Sequence, residues 1–331
     1  MSTTPVYERR PTGPRYHDFL ARHAQVLSIA AFFLLMVVLF SLNTGAFLSQ
    51  ANLLNLLRQS APLIIVAVAM TFVITTGGID LSVGSTVALV NALVAIALQA
   101  GVPWPLAVLA MLVLGALVGL VQGWFVAREG IPAFIVTLAG LSILRGVALL
   151  LTQGFSIPIA SDNWFVQIGR GWFLGLPFPA ILAVLVMAAG ALVLSSTRFG
   201  RYVTAIGANA EAARRAGIGV QGVTVAVYVL TGIAAALAGI VIAARLGSGS
   251  SNAAVGFELD VIAAVVLGGT SLMGGRGSIL GTCLGALTIA VIGNGLILAH
   301  ISPFFTQIVT GLIILAAIWL NTKVFRGGRR R

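Results

Sequence analysis

The chain is short of most of the groups from which a reactive site is built. Of its 331 residues, 8% are charged, three are histidine and one is cysteine. The lone Cys283 lies inside an apolar run, so the sequence offers neither an intrachain disulfide nor a cysteine metal cluster. Lysine occurs once, at Lys323, preceded by asparagine and threonine and followed by valine, which excludes a GxxxxGK[ST] phosphate loop. There is no HExxH, no histidine within a well-defined apolar run to serve a serine, and no pair of intramembrane aspartates. GSGS at 247–250 resembles a nucleophile motif only superficially. An enzyme is a poor reading, and neither a catalytic residue nor a metal ligand is assigned.

What the chain has instead is apolar length. With 59% hydrophobic residues and a mean hydropathy of +1.08, it has far too little polar surface to cover a soluble globule of this size. The fold class expected is an all-α integral membrane protein. Its 39 glycines suit transmembrane helices packed closely through small residues. The net charge of +11 is not read as a nucleic-acid signal, because the arginines sit mainly in tails and short loops.

Ten apolar spans are expected, at about Val26–Phe47, Ala61–Thr76, Val83–Ala100, Trp104–Ala127, Pro132–Thr152, Leu176–Ser196, Val223–Ala244, Glu258–Met273, Ile279–Ala299 and Pro303–Leu320. They compose a transmembrane domain over 26–321, between an irregular tail at 1–25 and a basic tail at 322–331. Asn52–Arg58, NLLNLLR, is expected to lie along the outer interface before the second span. Fifteen of the nineteen Lys and Arg residues fall in the N-terminal tail, at Arg128, in the segment Thr197–Gln221, at Arg276 and in the C-terminal tail. That asymmetry places both termini in the cytoplasm and requires an even number of spans.

The chain is organised around Thr71–Thr86, TFVITTGGIDLSVGST, where an apolar run breaks at Gly77 and Gly78 and resumes past Asp80 and Ser82. In lipid such a break must be buried in protein or line a wet cavity, since freed backbone groups have no water to bond. Two readings stand for Asp80: an N-cap in a cytoplasmic turn, or a group beside a transport path. Arg145, in LSILRGVALL, is an intramembrane charge that either serves function or bonds backbone carbonyls. Glu258 and Asp260 open a short apolar segment, where acids favour a helix N-terminus. That segment ends at Gly268 and Gly269, a second glycine-interrupted stretch that makes a paired transporter architecture one option. Asn294 either bonds a neighbouring helix or touches solute. The basic segment 197–221 contains GANAEAARRAGIG, with Gly207 at its head. Asn209 is suited to N-cap a short surface helix through Glu211, Ala212, Ala213 and Arg214, and Gly217 to end it.

Four ordered stretches, ITTGGIDLSVGS, LRGVALLLTQG, TRFGRYVTAIGANAEAARRAGI and GFELDVIAAVVLGGTSLMGGRGSILGT, resemble the permease subunit of ribose-type ABC importers. That family also serves xylose, arabinose, galactose and autoinducer-2. The resemblance implies a bacterial inner-membrane subunit of about ten helices that imports a monosaccharide or related small polyol. It implies as partners an ABC ATPase, a periplasmic solute-binding protein, and a second permease copy or sister permease, all in membrane lipid. ATP and its magnesium would be held by the ATPase, with no cofactor in this chain. Glu211, Ala212, Ala213 and Gly217 match the family's EAAxxxG coupling loop, although the Leu-Pro continuation known from other importers is missing. The alternative from residues alone is a stand-alone proton-coupled transporter, with Asp80 or Glu258 as carrier and Arg145 as partner.

Overall fold

The computed structural model describes residues 15–302 together with 305, 308–312 and 315, and for residues 15–25 the backbone alone. In chain order the helices are α1 (Arg15–Asn43), α2 (Gln50–Thr75), α3 (Val83–Gln99), α4 (Trp104–Ala127), α5 (Ala133–Thr152), the single turn α6 (Gln167–Arg170), α7 (Phe178–Ser196), α8 (Arg198–Ala208), α9 (Ala210–Arg215), α10 (Val220–Leu246), α11 (Phe257–Leu267) and α12 (Ile279–Leu298). Seven of the described helices (α1, α2, α4, α5, α7, α10 and α12) are long and apolar enough to cross a bilayer. At 17 residues α3 is shorter, and α11, with 11 residues, rises only about 17 Å, little more than half of a hydrocarbon core. The expected tenth span, Pro303–Leu320, lies mostly outside the described residues, as do residues 1–14 of the N-terminal tail and the basic tail.

Helix α2 is the axis of the bundle. From Ser60 to Thr75 every residue is buried, against α7, α10, α11 and α12. The segment NLLNLLR is not a separate interfacial helix: it forms the first turns of α2, which runs unbroken through Pro62. A proline inside a membrane helix is tolerated where neighbours re-satisfy the carbonyl it leaves free. Ser49 caps the start, its Oγ accepting from Asn52 N at 3.3 Å.

The closest packing is between α4 and α10. A methyl group at Gly115 would strike the Gly232 carbonyl, one at Gly232 the Gly115 carbonyl, and one at Gly119 the Tyr228 carbonyl. Gly115, Gly119 and Gly123 form a GxxxGxxxG stripe, so the two backbones touch with no side chain between them. Gly281 and Gly285 of α12 likewise press on Gly268, just past the end of α11, and on Ala264 within it.

At one end of the bundle the 153–177 loop folds over the helices. Its strand β1 (Ile157–Pro158) pairs antiparallel with β4 (Ser248–Gly249), and β2 (Trp172–Phe173) with β3 (Leu176–Pro177). Trp104 and Trp164 stack at 4.6 Å. At the other end lie α8 and α9. The first apolar span begins at Val26 as expected and ends at Asn43, but its helix starts earlier, at Arg15, within the tail expected to be irregular. Span eight is shorter than Glu258–Met273, because α11 stops at Leu267 and the rest is a glycine-rich loop.

Helix α7, about 28 Å long, separates the β2–β3 hairpin from α9. With Cys283 replaced by alanine, single cysteines at the exposed Leu174 and Arg214 should react with a membrane-impermeant maleimide from opposite sides of sealed vesicles. Labelling of both from one side would contradict this arrangement.

Candidate functional site

Two breaks in the helical bundle meet beside the first turn of α3, and a third, the glycine-rich loop Gly268–Gly277, follows α11. The first follows α2. Gly77 turns the chain at φ +87°, Gly78 N donates to Val73 O, and the chain then runs without helix from Gly78 to Ser82 before α3 begins. Gly78 has no room for a side chain, since a Cβ there would lie 2.8 Å from the Tyr228 hydroxyl oxygen. Asp80 is buried, and one carboxylate oxygen accepts from Ser82 N at 2.9 Å and Ser82 Oγ at 2.7 Å. Ser82 Oγ in turn accepts from the Gln122 amide nitrogen of α4 at 2.8 Å. Thr137 Oγ1 of α5 donates to Ile79 O at 3.3 Å. The N-cap of α3 is therefore Ser82, and Asp80 closes an Asx-type turn ahead of it rather than capping the helix itself. Among the described residues no basic side chain forms an ion pair with Asp80.

The second break follows α10. From Gly247 to Gly256 the chain turns back along α3: Ser250 N donates to Asn91 Oδ1 at 2.6 Å, and Thr152 Oγ1 to Ser251 Oγ at 2.8 Å. Arg145 secures this segment. Its guanidinium donates to Ser251 O at 2.6 Å and Ala253 O at 2.9 Å, with a longer contact to Ala254 O at 3.4 Å. Of the two readings of Arg145, the geometry selects the arginine bonded to backbone carbonyls. It satisfies groups that lipid could not.

Helix α11 starts at this point, with Glu258 and Asp260 in its first turn behind the N-cap Gly256. The Glu258 carboxylate fills the place a Cβ on Gly84 would take, so the start of α11 abuts the start of α3. One of its oxygens, Oε2, is buried without a hydrogen-bond partner, as is Ser85 Oγ. Partial positive charge at the N-terminus of α3 favours a carboxylate here. Asp80, Ser82, Arg145 and Glu258 are thus all gathered around the first turn of α3 and the chain entering it, and Asp260 is half-buried nearby on α11.

Asn294 is elsewhere. It exchanges two side-chain hydrogen bonds of 2.9 Å with Asn52 near the opposite end of α2, which makes it a helix–helix contact. Gly268 packs on Gly281 and Thr282, and Gly269 turns the chain at φ +89°.

At the other face, α9 has the form its sequence encodes. Asn209 Oδ1 accepts from Ala212 N at 2.9 Å, Ala213 is buried beneath the helix, and Gly217 at φ +82° ends it. Gly217 N bonds Arg214 O and Ile218 N bonds Ala213 O, the paired bonds of a Schellman ending. Glu211 pairs with Arg215 at 3.1 Å and Arg214 at 3.5 Å, all three side chains being exposed. Gly207 lies at the end of α8 against Thr75 and Gly275.

Gln122, Asn91 and Tyr228 belong to these networks and were not singled out from sequence. Gln122 and Asn91 had a readable signal, each being an amide in an otherwise apolar helix. Tyr228 had none.

The chain matches the family described as branched-chain amino acid transport system / permease component over residues 52–318. It is 44% identical to the probable ABC transporter permease protein YphD of Escherichia coli K12, across 92% of this chain and 91% of that one. It is 45% identical to the ribose import permease protein RbsC of Bacillus subtilis 168, across 87% and 90%. With the xylose transport system permease protein XylH of E. coli K12 it shares 34% identity across 96% of both. No solved structure matches the chain.

Arg145→Leu leaves the carbonyls of Ser251, Ala253 and Ala254 without their donor. It should cost about 2–4 kcal/mol, read as a lower unfolding midpoint in detergent, with Arg145→Lys recovering part of the loss. A midpoint equal to the parent's would contradict the assignment.

Proposed function

This chain belongs to the permease components of ABC transporters, and we propose that it imports a monosaccharide or related small polyol across a bacterial inner membrane. The sugar assignment is supported by relatives named for ribose and xylose, both polyhydroxylated and uncharged. In this reading the ten-span topology has both termini in the cytoplasm, and α9 lies on the cytoplasmic face. ATP and magnesium are bound by a separate ATPase, a periplasmic binding protein delivers the cargo, and a second permease copy or sister chain completes the path.

The observation that carries the reading is α9. A six-residue helix cannot hold itself together in water, yet this one is capped at both ends and presents exposed charges away from the bundle. It is built as a rigid contact element, and the ATPase is the partner proposed for it. Transport follows by alternating access: the ATPase moves α9, and the segments broken at Gly77–Ser82 and Gly268–Gly277 shift to open one side at a time. Direction comes from ATP and the loaded binding protein, each favouring a different state. Asp80, Ser82, Glu258 and Asp260 border the cargo's route around the first turn of α3, with Arg145 holding the wall.

Nothing favours the proton-coupled alternative. Arg145 is committed to carbonyl oxygens, and among the described residues it makes no ion pair with Asp80 or Glu258.

Glu211→Lys removes two surface pairs worth about 0.5 kcal/mol each, so the permease should still fold and insert. It should lose stimulation of the co-purified ATPase by the loaded binding protein, and uptake with it. Parental transport by this variant would remove α9 from the coupling path.

A further inference from the structure

Three stretches of backbone that are far apart in sequence touch without an intervening side chain at the end of the bundle nearest α9. They are the end of α2 and its turn, Thr75–Gly77; the end of α8, Gly207–Ala208; and the loop Gly274–Gly277. Gly275 N donates to Thr75 O at 2.9 Å. A Cβ on Gly207 would fall on Thr75 O and Gly275 N. One on Gly274 would lie 2.8 Å from Gly207 O and 3.1 Å from Gly77 N, and one on Gly277 would strike Thr75 Oγ1.

On each side the joint is stiffly connected. Asn209 ends α8 and starts α9: its N–H closes α8 on Ala205 O at 3.1 Å, while its side chain caps α9. No linker separates the two helices. The loop is tied to itself by Ser271 N to Arg276 O and Gly274 N to Ser271 O, both 3.0 Å, and by Ser278 N to Thr270 Oγ1 at 3.3 Å. Side chains between moving parts can change rotamer and absorb a displacement, whereas backbones already in contact cannot.

We infer that this glycine joint is a clamp that carries the displacement of α9 to the breaks at Gly77–Ser82 and Gly268–Gly277 at once and moves as one body. Gly207, Gly274, Gly275 and Gly277 are its positioning residues. The inference rests on the proposed coupling role of α9 and adds the route by which one short helix reaches two breaks distant in sequence. Gly77 passes the motion to the turn ahead of Asp80, and Gly275 passes it to the loop that follows α11.

The test measures sugar taken up per ATP hydrolysed, in proteoliposomes holding the permease with its ATPase and binding protein. Gly207→Ala forces the joint apart and should lower this ratio tenfold or more. Gly222→Ala, whose added methyl group meets nothing within 4 Å, should leave it within twofold of the parent. A second arm uses Gly277→Ala, whose methyl group strikes the Thr75 hydroxyl and should also lower the ratio. Adding Thr75→Ala removes that hydroxyl and should recover at least half of the loss. Parental coupling in Gly207→Ala or in Gly277→Ala, or a Gly277→Ala loss that Thr75→Ala does not relieve, would each overturn the clamp. Absence of ATP-dependent uptake by the parent would instead overturn the importer reading beneath it.

Discussion

A backbone that leaves its helix inside a membrane must find a partner for every exposed N–H and C=O within the protein. This constraint shapes the centre of the molecule. At the first break, Asp80 takes the N–H and hydroxyl of Ser82, Gln122 reaches across from α4 to the same serine, and Thr137 reaches from α5 to the carbonyl of Ile79. At the second, Arg145 holds the carbonyls of Ser251 and Ala253, and Asn91 takes the N–H of Ser250. A chain with so few charged residues places several of them at these two breaks. That use fixes the breaks in place.

The same constraint explains which parts of the fold were legible in the sequence. The α9 helix was readable because its determinants are local: an asparagine cap, acid before base, and a glycine to end it, all within nine residues. The break at Gly77–Ser82 was readable because two glycines and an aspartate interrupt an apolar run. The roles of the polar residues were not, since their partners are remote. Arg145 bonds a segment more than a hundred residues downstream, and Asn294 pairs with an asparagine in the second span. Asp80 looked like a helix cap because aspartate is good at capping, but Ser82 is in register for that place and Asp80 serves the turn before it.

Some signals were present and outweighed. NLLNLLR read as an interfacial segment because its leucines recur at helical spacing ahead of the second apolar run, yet it forms the first turns of α2, which continues through Pro62. The run beginning at Glu258 read as a full span because its apolar residues extend to Met273, but the five glycines from Gly268 to Gly277 turn its second half into a loop. The GxxxGxxxG stripe of α4 is visible in the sequence, although the facing glycine at 232 belongs to a helix that only the fold brings alongside.

The proposed function turns on one claim: chemical energy enters through α9 from another protein and opens a path near the first turn of α3. The most direct measurement is uptake of labelled ribose and xylose into vesicles carrying the permease, its ATPase and a loaded binding protein, with ATP and a proton gradient supplied separately. Accumulation against a concentration gradient with ATP alone is the result this account predicts. Accumulation driven by the proton gradient, with neither ATP nor a partner, would contradict it.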